Sequence, residues 1–326
     1  AVRLLAVASY QKKPLYRSYL IVPEKDTQTN SILDLKGKAY GMPCYELLGG
    51  AFRKDILLYA NYWFTGGGHT GEAYARQARR VKELGFTGLK FDPFAHTNYL
   101  YGEDLHTNLT LTKSQQDLAF DVTKAVRDAV GPEFDMMIET HAMLNFEVAI
   151  KMAERLAPLG VTWYEEPAGP ESAQTLRAFR ERLPSNVPIC VGERHYTRHG
   201  FRPVLENHIC DVIMPDITRC GGPSEMKRIA TMAEAYGVLV APHNPNGPLS
   251  TLASAHVCAS IPNFFRCEFM VNDVPWRDQV ISHPLDVRGG VLHLSDRPGL
   301  GVDLVEDELA KHPGVRELKA RDNFYV

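Results

Sequence analysis

Acidic, basic and imidazole side chains stand at or just after the ends of successive short apolar segments in this chain. The stretch "MMIETHAMLN" shows the pattern: an apolar run ends with Glu139 and His141, two residues apart. In chain order, the residues of this kind are Lys90, Asp92, Glu139, His141, Glu165, Glu193, Asp216, His243 and Glu268. One carboxylate at a strand end is usually solvated or caps a helix. Several that converge repel each other unless a cation or a proton neutralises them, so the pattern predicts a charged site.

Three glutamates form the candidate metal site. Glu139, Glu165 and Glu193 end successive apolar segments. Oxygen ligands without cysteine select a hard cation, Mg²⁺ or alternatively Mn²⁺. Glu166 competes with Glu165 for the inward position, but the period-two alternation of a strand favours Glu165. Zinc bound through His141 is the alternative metal, although an all-carboxylate set suits magnesium better.

Asp216 and His243 form the candidate acid–base pair. They end neighbouring segments, so the carboxylate would orient the imidazole and raise its basicity. Residues i and i+2 of a strand share a face, which points Glu139 and His141 the same way. Taken alone, "PHNP" could equally contain a loop histidine that bonds backbone groups. The candidate metal site opposite favours a role as base, however, because a bound cation would acidify the C–H beside a substrate carboxylate and His243 could remove that proton.

The elements that position these residues alternate between strands and amphipathic helices. Apolar runs from "ILLYANYWF" to "FFRCEFM" are separated by segments such as "KSQQDLAFDVTKAVRDAV", in which apolar residues recur every three or four positions. Eight strands in this alternation predict right-handed βαβ units and, at 326 residues, an α/β fold closed as a TIM barrel. An open doubly wound sheet is the alternative, but no G-x-G-x-x-G follows an early strand.

Three regions are predicted along the chain. Residues 1–54 form a partial N-terminal capping segment and linker, and residues 55–285 form the barrel. Residues 286–326 form a C-terminal segment that returns towards the capping region. The chain ends would then build a remnant or truncated α+β capping domain beside the barrel.

Composition argues against several classes of partner. A formal charge of -3 and a pI near 6.5 do not suit a nucleic-acid-binding surface. Neither a run of membrane-spanning length nor a charged-then-apolar leader is found, so we expect no membrane partner. The six scattered cysteines contain no C-x-x-C pair and are interpreted as reduced core thiols, which makes a cytoplasmic location the default expectation.

As a set, the motifs resemble the mandelate racemase subgroup of the enolase superfamily, and within it the galactonate- and gluconate-type sugar-acid dehydratases. The linker-like "LDLKGKAYGMPCYELLGG" is followed by "LKFDPF", "IETH", "WYEEP", "GER", "VIMPDITRCGG" and "PHNPNGP", in the family's order and spacing. The match covers the chain from residue 31 to its end. The resemblance implies a modified barrel of the (β/α)7β type, a Mg²⁺ cofactor and a homo-oligomer.

The resemblance also implies a role for each residue of the site. His243, oriented by Asp216, would take the proton α to the substrate carboxylate. Glu268 would hydrogen-bond a carboxylate oxygen and stabilise the ene-diolate, a role open to a protonated carboxyl. His141 would protonate the departing β-hydroxyl, and Lys90 would lend positive charge to the substrate carboxylate. The metal ligands that the resemblance implies are Glu139, Glu165 and Glu193.

Substrate contacts are expected from side chains near the strand ends. The main candidates are Asp92, Asn61, Arg194 and Trp63, with Tyr59, Phe94 and His96 as further pocket residues. Core packing is the alternative role for Tyr59 and Trp63, and a structural ion pair is the alternative for Arg194.

Two departures from the family pattern bear on the reaction. Racemases of the group carry Lys-x-Lys on the second strand, whereas this chain reads Lys90-Phe91-Asp92, so a second lysine base is missing. One base with one acid suits elimination of water better than racemisation. Few residues precede the linker, so we expect either that the sequence is an incomplete or trimmed chain or that the capping domain is curtailed.

The leading hypothesis is therefore a Mg²⁺-dependent hydro-lyase that converts an aldonic or related acid sugar into a 2-keto-3-deoxy acid. It would abstract the proton α to the carboxylate and then eliminate water. The alternative within the family is a cycloisomerase or epimerase of a sugar-acid lactone or anhydro sugar acid. The alternative from another class is a catalytically silent barrel subunit that binds acid sugars.

Overall fold

The computed structural model describes residues 32–65, 68–94, 110–170 and 172–312, together with four short strands near the N terminus. Two antiparallel pairs form there: β1 (Val2–Leu4) with β4 (Ile21–Pro23), and β2 (Ser9–Tyr10) with β3 (Lys13–Pro14). Among the helices of the described residues, none combines the length and the apolar character that a membrane span requires.

Eight parallel strands form the central sheet, and each of the first six pairs with the strand that follows it in sequence. They are β5 (Asp55–Asn61), β6 (Gly88–Phe91), β7 (Asp135–Glu139), β8 (Trp163–Glu165), β9 (Ile189–Val191), β10 (Val212–Ile213), β11 (Leu239–Val240) and β12 (Cys267–Met270). The last strand, β12, returns to pair with β5, the first. Between β11 and β12 the sheet continues through an isolated parallel bridge that joins Val240 and Phe264. The order is that of a β/α barrel.

A helix follows each of the first seven barrel strands. These helices are α3 (Gly71–Glu83), α4 (Lys113–Val130), α5 (Phe146–Leu156), α6 (Ala173–Arg182), α7 (Thr197–Glu206), α8 (Pro223–Ala235) and α9 (Pro248–Ala259). Several begin at a residue whose side chain accepts a backbone N–H of the first turn, as Thr112 does in a capping box with Gln115. A 3-10 turn (Ala157–Leu159) extends α5.

After β12 the chain changes character. It passes through a 3-10 turn (Arg277–Val280) into an antiparallel hairpin of β13 (Val287–Arg288) and β14 (Val291–His293). Strand β14 pairs antiparallel with β5, so the hairpin extends the barrel sheet. The arrangement of eight strands and seven intervening helices is the predicted (β/α)7β architecture. Helix α10 (Glu306–Leu309) is the last described element.

Two hydrophobic layers hold the barrel. One lies between the strands and the helices, and the other fills the barrel interior with Tyr59, Met137, Trp163, Cys190, Val212, Met214 and Ala241. Side chains alternate along a strand, so the residues two positions after Met137 and Trp163 face the same interior. Those residues are Glu139 and Glu165. Strand periodicity therefore carries these two glutamates inward at the C-terminal mouth of the barrel.

The linker docks against the segment at residues 298–303. The linker contains the helices α1 (Ile32–Tyr40) and α2 (Cys44–Leu47). Its backbone closely approaches that of residues 298–303 where Gly37 meets Gly299. A Cβ at Gly37 would lie 2.8 Å from the Gly299 Cα. Asp34 accepts a hydrogen bond from the Leu300 amide at 2.8 Å. The domain boundaries at residues 54 and 285 stay a prediction, and residues 313–326 lie outside the described part of the chain.

His256 on α9 links this linker to the barrel. The Tyr45 amide donates to its Nδ1 at 3.3 Å, and the two rings stack with centroids 5.5 Å apart. Burial lowers the pKa of His256 to about 4. Because the folded protein then binds this proton more weakly than the unfolded chain, the imidazole makes folding less favourable as the pH falls below about 6.5.

We expect His256→Leu to flatten the pH dependence of stability. Protonation of His256 in the unfolded chain should lower the free energy of unfolding by about 2 kcal/mol between pH 7 and pH 5. The variant should lose this term, while its stability at pH 7 falls because the Tyr45 amide has lost its acceptor. Urea denaturation at the two pH values measures both effects, and an unchanged pH dependence in the variant would contradict the assignment.

Candidate active site

The three glutamates predicted as metal ligands meet at the C-terminal mouth of the barrel. Glu139, Glu165 and Glu193 are all buried, and each offers an oxygen within 4.8 Å of the other two. Two ligand oxygens on opposite sides of Mg²⁺ lie about 4.2 Å apart, so small side-chain rotations would let all three carboxylates reach one ion. Gly192 shapes the turn before Glu193, because it has a φ of 135° and an added Cβ would lie 2.7 Å from the Phe201 ring.

Charge in this cluster is only partly balanced by protein groups. Burial and the charge of Glu139 raise the pKa of Glu165 well above its ordinary value. Burial also opposes the charge of Glu139, but His141 and a hydrogen bond shared with Glu165 lower the pKa of Glu139. Two adjacent carboxylates repel each other, so only one of them ionises readily. A bound divalent cation would stabilise the ionised form of both. The residues therefore fit a hard divalent metal.

Glu166 is not one of the three clustered glutamates, and it contacts the turn that carries Glu193. Its carboxylate accepts the Gly192 amide at 3.0 Å and Nε of Arg194 at 2.9 Å. Burial raises the pKa of Glu166 to about 7, and the guanidinium of Arg194 limits that rise. The structure thus brings Glu165 and not Glu166 into the cluster, as strand alternation favours, while the role of Glu165 as a metal ligand stays a prediction. The sequence argument did not anticipate that Glu166 would contact the turn that carries Glu193.

His243 and Asp216 form a buried hydrogen-bonded pair. His243 Nδ1 lies 2.8 Å from Asp216 Oδ2, which leaves Nε2 directed towards Glu193, 3.3 Å away. Burial opposes protonation of His243, but Glu193, Glu268 and Asp216 together raise its pKa. Burial likewise opposes the charge of Asp216, yet His243 and Thr218 bring the pKa of that carboxyl down to about 2. An ionised aspartate therefore fixes a basic imidazole beside the glutamate cluster.

A second pair, His141 with Asp92, lies across the mouth. His141 Nδ1 is 2.9 Å from Asp92 Oδ2, and the His141 amide donates to Glu139 at 2.6 Å. Burial would lower the pKa of His141, but Glu139 and Asp92 raise it to about 9. Asp92 is 1% exposed and its second oxygen accepts the Phe94 amide, while a contact with substrate stays a prediction. Its position is that of a partner for His141.

The reason given for the placement of His141 also needs correction. Strand β7 ends at Glu139, and His141 has a left-handed backbone with a φ of 49°, so strand parity does not extend to it. Its hydrogen bonds to Glu139 and Asp92 hold it at the mouth instead. Left-handed backbone recurs after β5, β8 and β9, at Tyr62, Glu166 and Thr197. Such strain in non-glycine residues is typical of functional sites.

Glu268 lies on the wall between Lys90 and His243. Its Oε1 accepts from Asn61 Nδ2 at 2.6 Å, and its Oε2 accepts from the Asn244 amide at 2.7 Å. Burial opposes its charge, but Lys90 and His243 lower the pKa of Glu268, so it is ionised rather than protonated. Asn61 therefore contacts the site through Glu268. Asn244 was missed from the sequence, although its place directly after His243 was a usable signal.

Several pocket candidates are instead parts of the core. Trp63 is 1% exposed and donates its indole N–H to the Lys90 carbonyl at 2.8 Å, so it packs behind β6 and does not line the mouth. Tyr59 and Phe94 are each 0% exposed. Arg194 forms the structural ion pair with Glu166 at 2.7 Å, although its side chain is partly exposed. His96 lies outside the described residues.

Comparison with known proteins accords with this geometry. A family model described as "Enolase C-terminal domain-like" matches residues 73–308. The chain is 31% identical over 288 residues to D-xylonate dehydratase of Haloferax volcanii, covering 86% of this chain and 66% of that enzyme. It thus spans slightly less than two thirds of the length of that relative.

Two further similarities bear on the choice of reaction. The chain is 30% identical over 291 residues to D-galactarolactone cycloisomerase of Agrobacterium fabrum, covering 86% of this chain and 71% of that enzyme. A solved structure described as a member of the enolase superfamily from Salmonella Typhimurium superposes with a TM-score of 0.79 at 34% identity. That superposition covers 86% of this chain and 73% of the other.

Proposed function

Because the chain belongs to the enolase superfamily, whose C-terminal-domain model it matches, we propose that it is a divalent-metal-dependent dehydratase of acid sugars. The observation that carries this proposal is a pair of histidine–aspartate dyads on opposite sides of a carboxylate triad. Asp92 and His141 follow β6 and β7, whereas Asp216 and His243 follow β10 and β11. The two dyads are four strands apart in an eight-stranded barrel and therefore face each other.

Glu139, Glu165 and Glu193 would hold the metal, for which Mg²⁺ is our choice and Mn²⁺ the alternative. When bound, the ion would supply positive charge that acidifies the C–H next to a substrate carboxylate. Enzymes of this superfamily depend on a divalent metal, and the buried oxygen-only donor set of this chain suits a hard ion.

The reaction would divide proton transfers between the two dyads. His243, with Nδ1 held by Asp216, presents Nε2 as the base that takes the α-proton. Lys90 would supply positive charge where negative charge develops on the substrate carboxylate, and Glu268 holds its ammonium group at 3.1 Å. His141, whose pKa Glu139 and Asp92 raise to about 9, would donate a proton to the departing 3-hydroxyl. Loss of water gives an enol that ketonises to a 2-keto-3-deoxy acid.

An acid-sugar library tests the proposal directly. The protein is incubated with aldonic and aldaric acids and Mg²⁺, and 2-keto-3-deoxy products are assayed. D-xylonate belongs in the first set because a relative is a D-xylonate dehydratase. We expect at least one acid to be dehydrated, with the activity lost in EDTA. Tight Mg²⁺ binding without exchange of any substrate α-proton would instead indicate a silent, acid-sugar-binding barrel.

A lactone or anhydro-sugar-acid cycloisomerase, or an epimerase, is the second candidate, favoured by the similarity to D-galactarolactone cycloisomerase. It would use the same proton abstraction and a different fate of the intermediate. Solvent deuterium at C2 without release of a keto acid would select this candidate. The His141–Asp92 dyad favours dehydration, because elimination requires an acid for the leaving hydroxyl.

Asn246 is expected to help orient the imidazole of His243, the proposed base. Its Nδ2 donates at 3.1 Å to Asp216 Oδ2, the oxygen that also binds His243, while Thr218 occupies Oδ1. Both oxygens of Asp216 are thus fixed. We expect Asn246→Ala to lower kcat about tenfold with KM and Mg²⁺ affinity unchanged, because the imidazole loses orientation rather than contact with substrate.

Steady-state kinetics with the best library substrate measure this split. Asn186→Ala, at an exposed position, is the matched control and should leave kcat unchanged. A rise in KM without a fall in kcat would show that Asn246 acts on substrate binding instead.

Three further properties belong to the proposal. The division at residues 54 and 285 into capping segment, barrel and returning segment is supported by the docking of the linker onto residues 298–303. Homo-oligomeric assembly rests on the family resemblance. A cytoplasmic location fits the metabolism of acid sugars and the buried free thiols of the described residues.

A further inference from the structure

The ammonium group of Lys90 lies among the carboxylates of the site. Its Nζ forms a short ion pair with Glu165 Oε1, and lies 3.4 Å from Glu139 Oε2 and 3.1 Å from Glu268 Oε1. The residue is 2% exposed, so water contributes little to its solvation. Lys90 therefore binds two of the three glutamates that fit a divalent ion.

Two cations cannot share these oxygens without cost. A divalent ion binds a carboxylate oxygen at about 2.1 Å, and an ammonium group does so at about 2.8 Å. A divalent ion and an ammonium group bound to the same oxygens would lie within about 5 Å of each other. They would repel each other strongly, because charges in a buried site are weakly screened. A carboxylate that gains a metal ligand bond also has less negative charge left to offer the lysine.

Glu268 provides the partner that Lys90 can keep. Asn61 and the Asn244 amide hold both oxygens of Glu268 in place. Glu268 is on β12, across from the triad on β7, β8 and the turn after β9. The ring of Tyr59 lies beneath the ammonium, with its centroid 5.7 Å from Nζ, and packs against Trp163. A fixed anion and an aromatic face thus mark a resting place for the ammonium group.

We propose that Lys90 and the divalent ion compete for Glu139 and Glu165, and that Lys90 leaves both carboxylates and keeps its contact with Glu268 when the ion binds. The lysine is then an internal counter-ion that the metal displaces. If the proposed dehydratase function holds, the displaced ammonium faces the substrate carboxylate, so that metal binding must precede productive binding of the acid sugar.

Isothermal titration with Mg²⁺ alone tests the competition. We expect Lys90→Met, which keeps the length of the side chain and removes its charge, to bind Mg²⁺ at least tenfold more tightly than the wild-type protein. Its Tm should also rise more on addition of Mg²⁺. Lys124→Met removes one exposed lysine on α4 that pairs with Asp128, and should leave the affinity within twofold. Equal or weaker Mg²⁺ binding by Lys90→Met, or no binding by either protein, overturns the proposal.

A second measurement uses the unaltered chain and covers the case in which Lys90→Met does not fold. Crystals of the wild-type protein grown with EDTA and with Mg²⁺ should differ at Lys90. In the Mg²⁺ crystals, Nζ should lie more than 4 Å from Glu139 and Glu165 while it keeps its contact with Glu268. Retention of all three contacts overturns the proposal. Neither measurement uses turnover, so a failed acid-sugar screen would remove the dehydratase function and leave this test intact.

Discussion

Replacing His243 with asparagine is expected to lower the rate of acid-sugar dehydration by about 10³-fold. Asparagine has a similar polar shape and can still bond Asp216, so the loop after β11 should keep its form. It has no atom that accepts a proton at neutral pH, however, and Nε2 of His243 is the basic atom directed towards the triad. Turnover of the best library substrate with His243→Asn measures the loss.

Exchange of the C2 proton separates the base from the acid. In D₂O, His243→Asn should lose exchange together with dehydration, whereas His141→Asn should lose dehydration and retain exchange, because it still has the base. Mg²⁺ affinity and Tm of both variants should remain close to the wild-type values. Undiminished exchange in His243→Asn would show that another group abstracts the proton.

Replacing Glu165 with glutamine is expected to weaken Mg²⁺ binding by about 100-fold and to abolish turnover at millimolar Mg²⁺. The change keeps the size of the side chain, its acceptor oxygen and its place among the interior residues of β8. It removes a negative charge that a divalent ion needs in a buried site, where Glu165 lies close to Glu139 and Glu193.

Glu166→Gln is the matched control, since it makes the same chemical change at the adjacent residue. Its expected effect on Mg²⁺ affinity is about tenfold at most, because Glu166 contacts the Gly192 amide and Arg194 rather than the other triad carboxylates. Titration of both variants with Mg²⁺ gives the comparison. If Glu166→Gln had the larger effect, the inward assignment of Glu165 would be wrong.

The barrel could be predicted because its periodicities are strong. All eight predicted strand segments and the helices between them are present in the structure. Buried parallel strands appear in the sequence as apolar runs, and helices with one buried face have apolar residues every three to four positions. The family model that matches residues 73–308 confirms the resemblance drawn from the motifs. The choice of Glu165 over Glu166 also followed from local rules, because β8 continues as a regular strand through Glu165.

Contacts between distant loops could not be predicted in the same way. Asp92 bonds His141 across 49 residues of sequence, and Asn246 bonds Asp216 across 30. Neither pairing has a periodic signature, because it depends on how two turns leave neighbouring strands. Trp63 takes the core-packing role that was the alternative to a pocket role: β5 ends at Asn61, and beyond that point strand alternation no longer says which side chain faces inward.

The close approach of Gly37 and Gly299 has a consequence for the order in which the chain assembles. The Leu300 amide that bonds Asp34 and the Asp303 carboxylate that pairs with Lys38 are made only after the whole barrel has been synthesised. During translation α1 therefore lacks its contacts with residues 298–303 until the barrel has been synthesised. Its docking is a late, long-range event of the kind that slows folding. We expect nascent chains stalled before residue 298 to be cut by protease near α1, and completed chains to resist cleavage there.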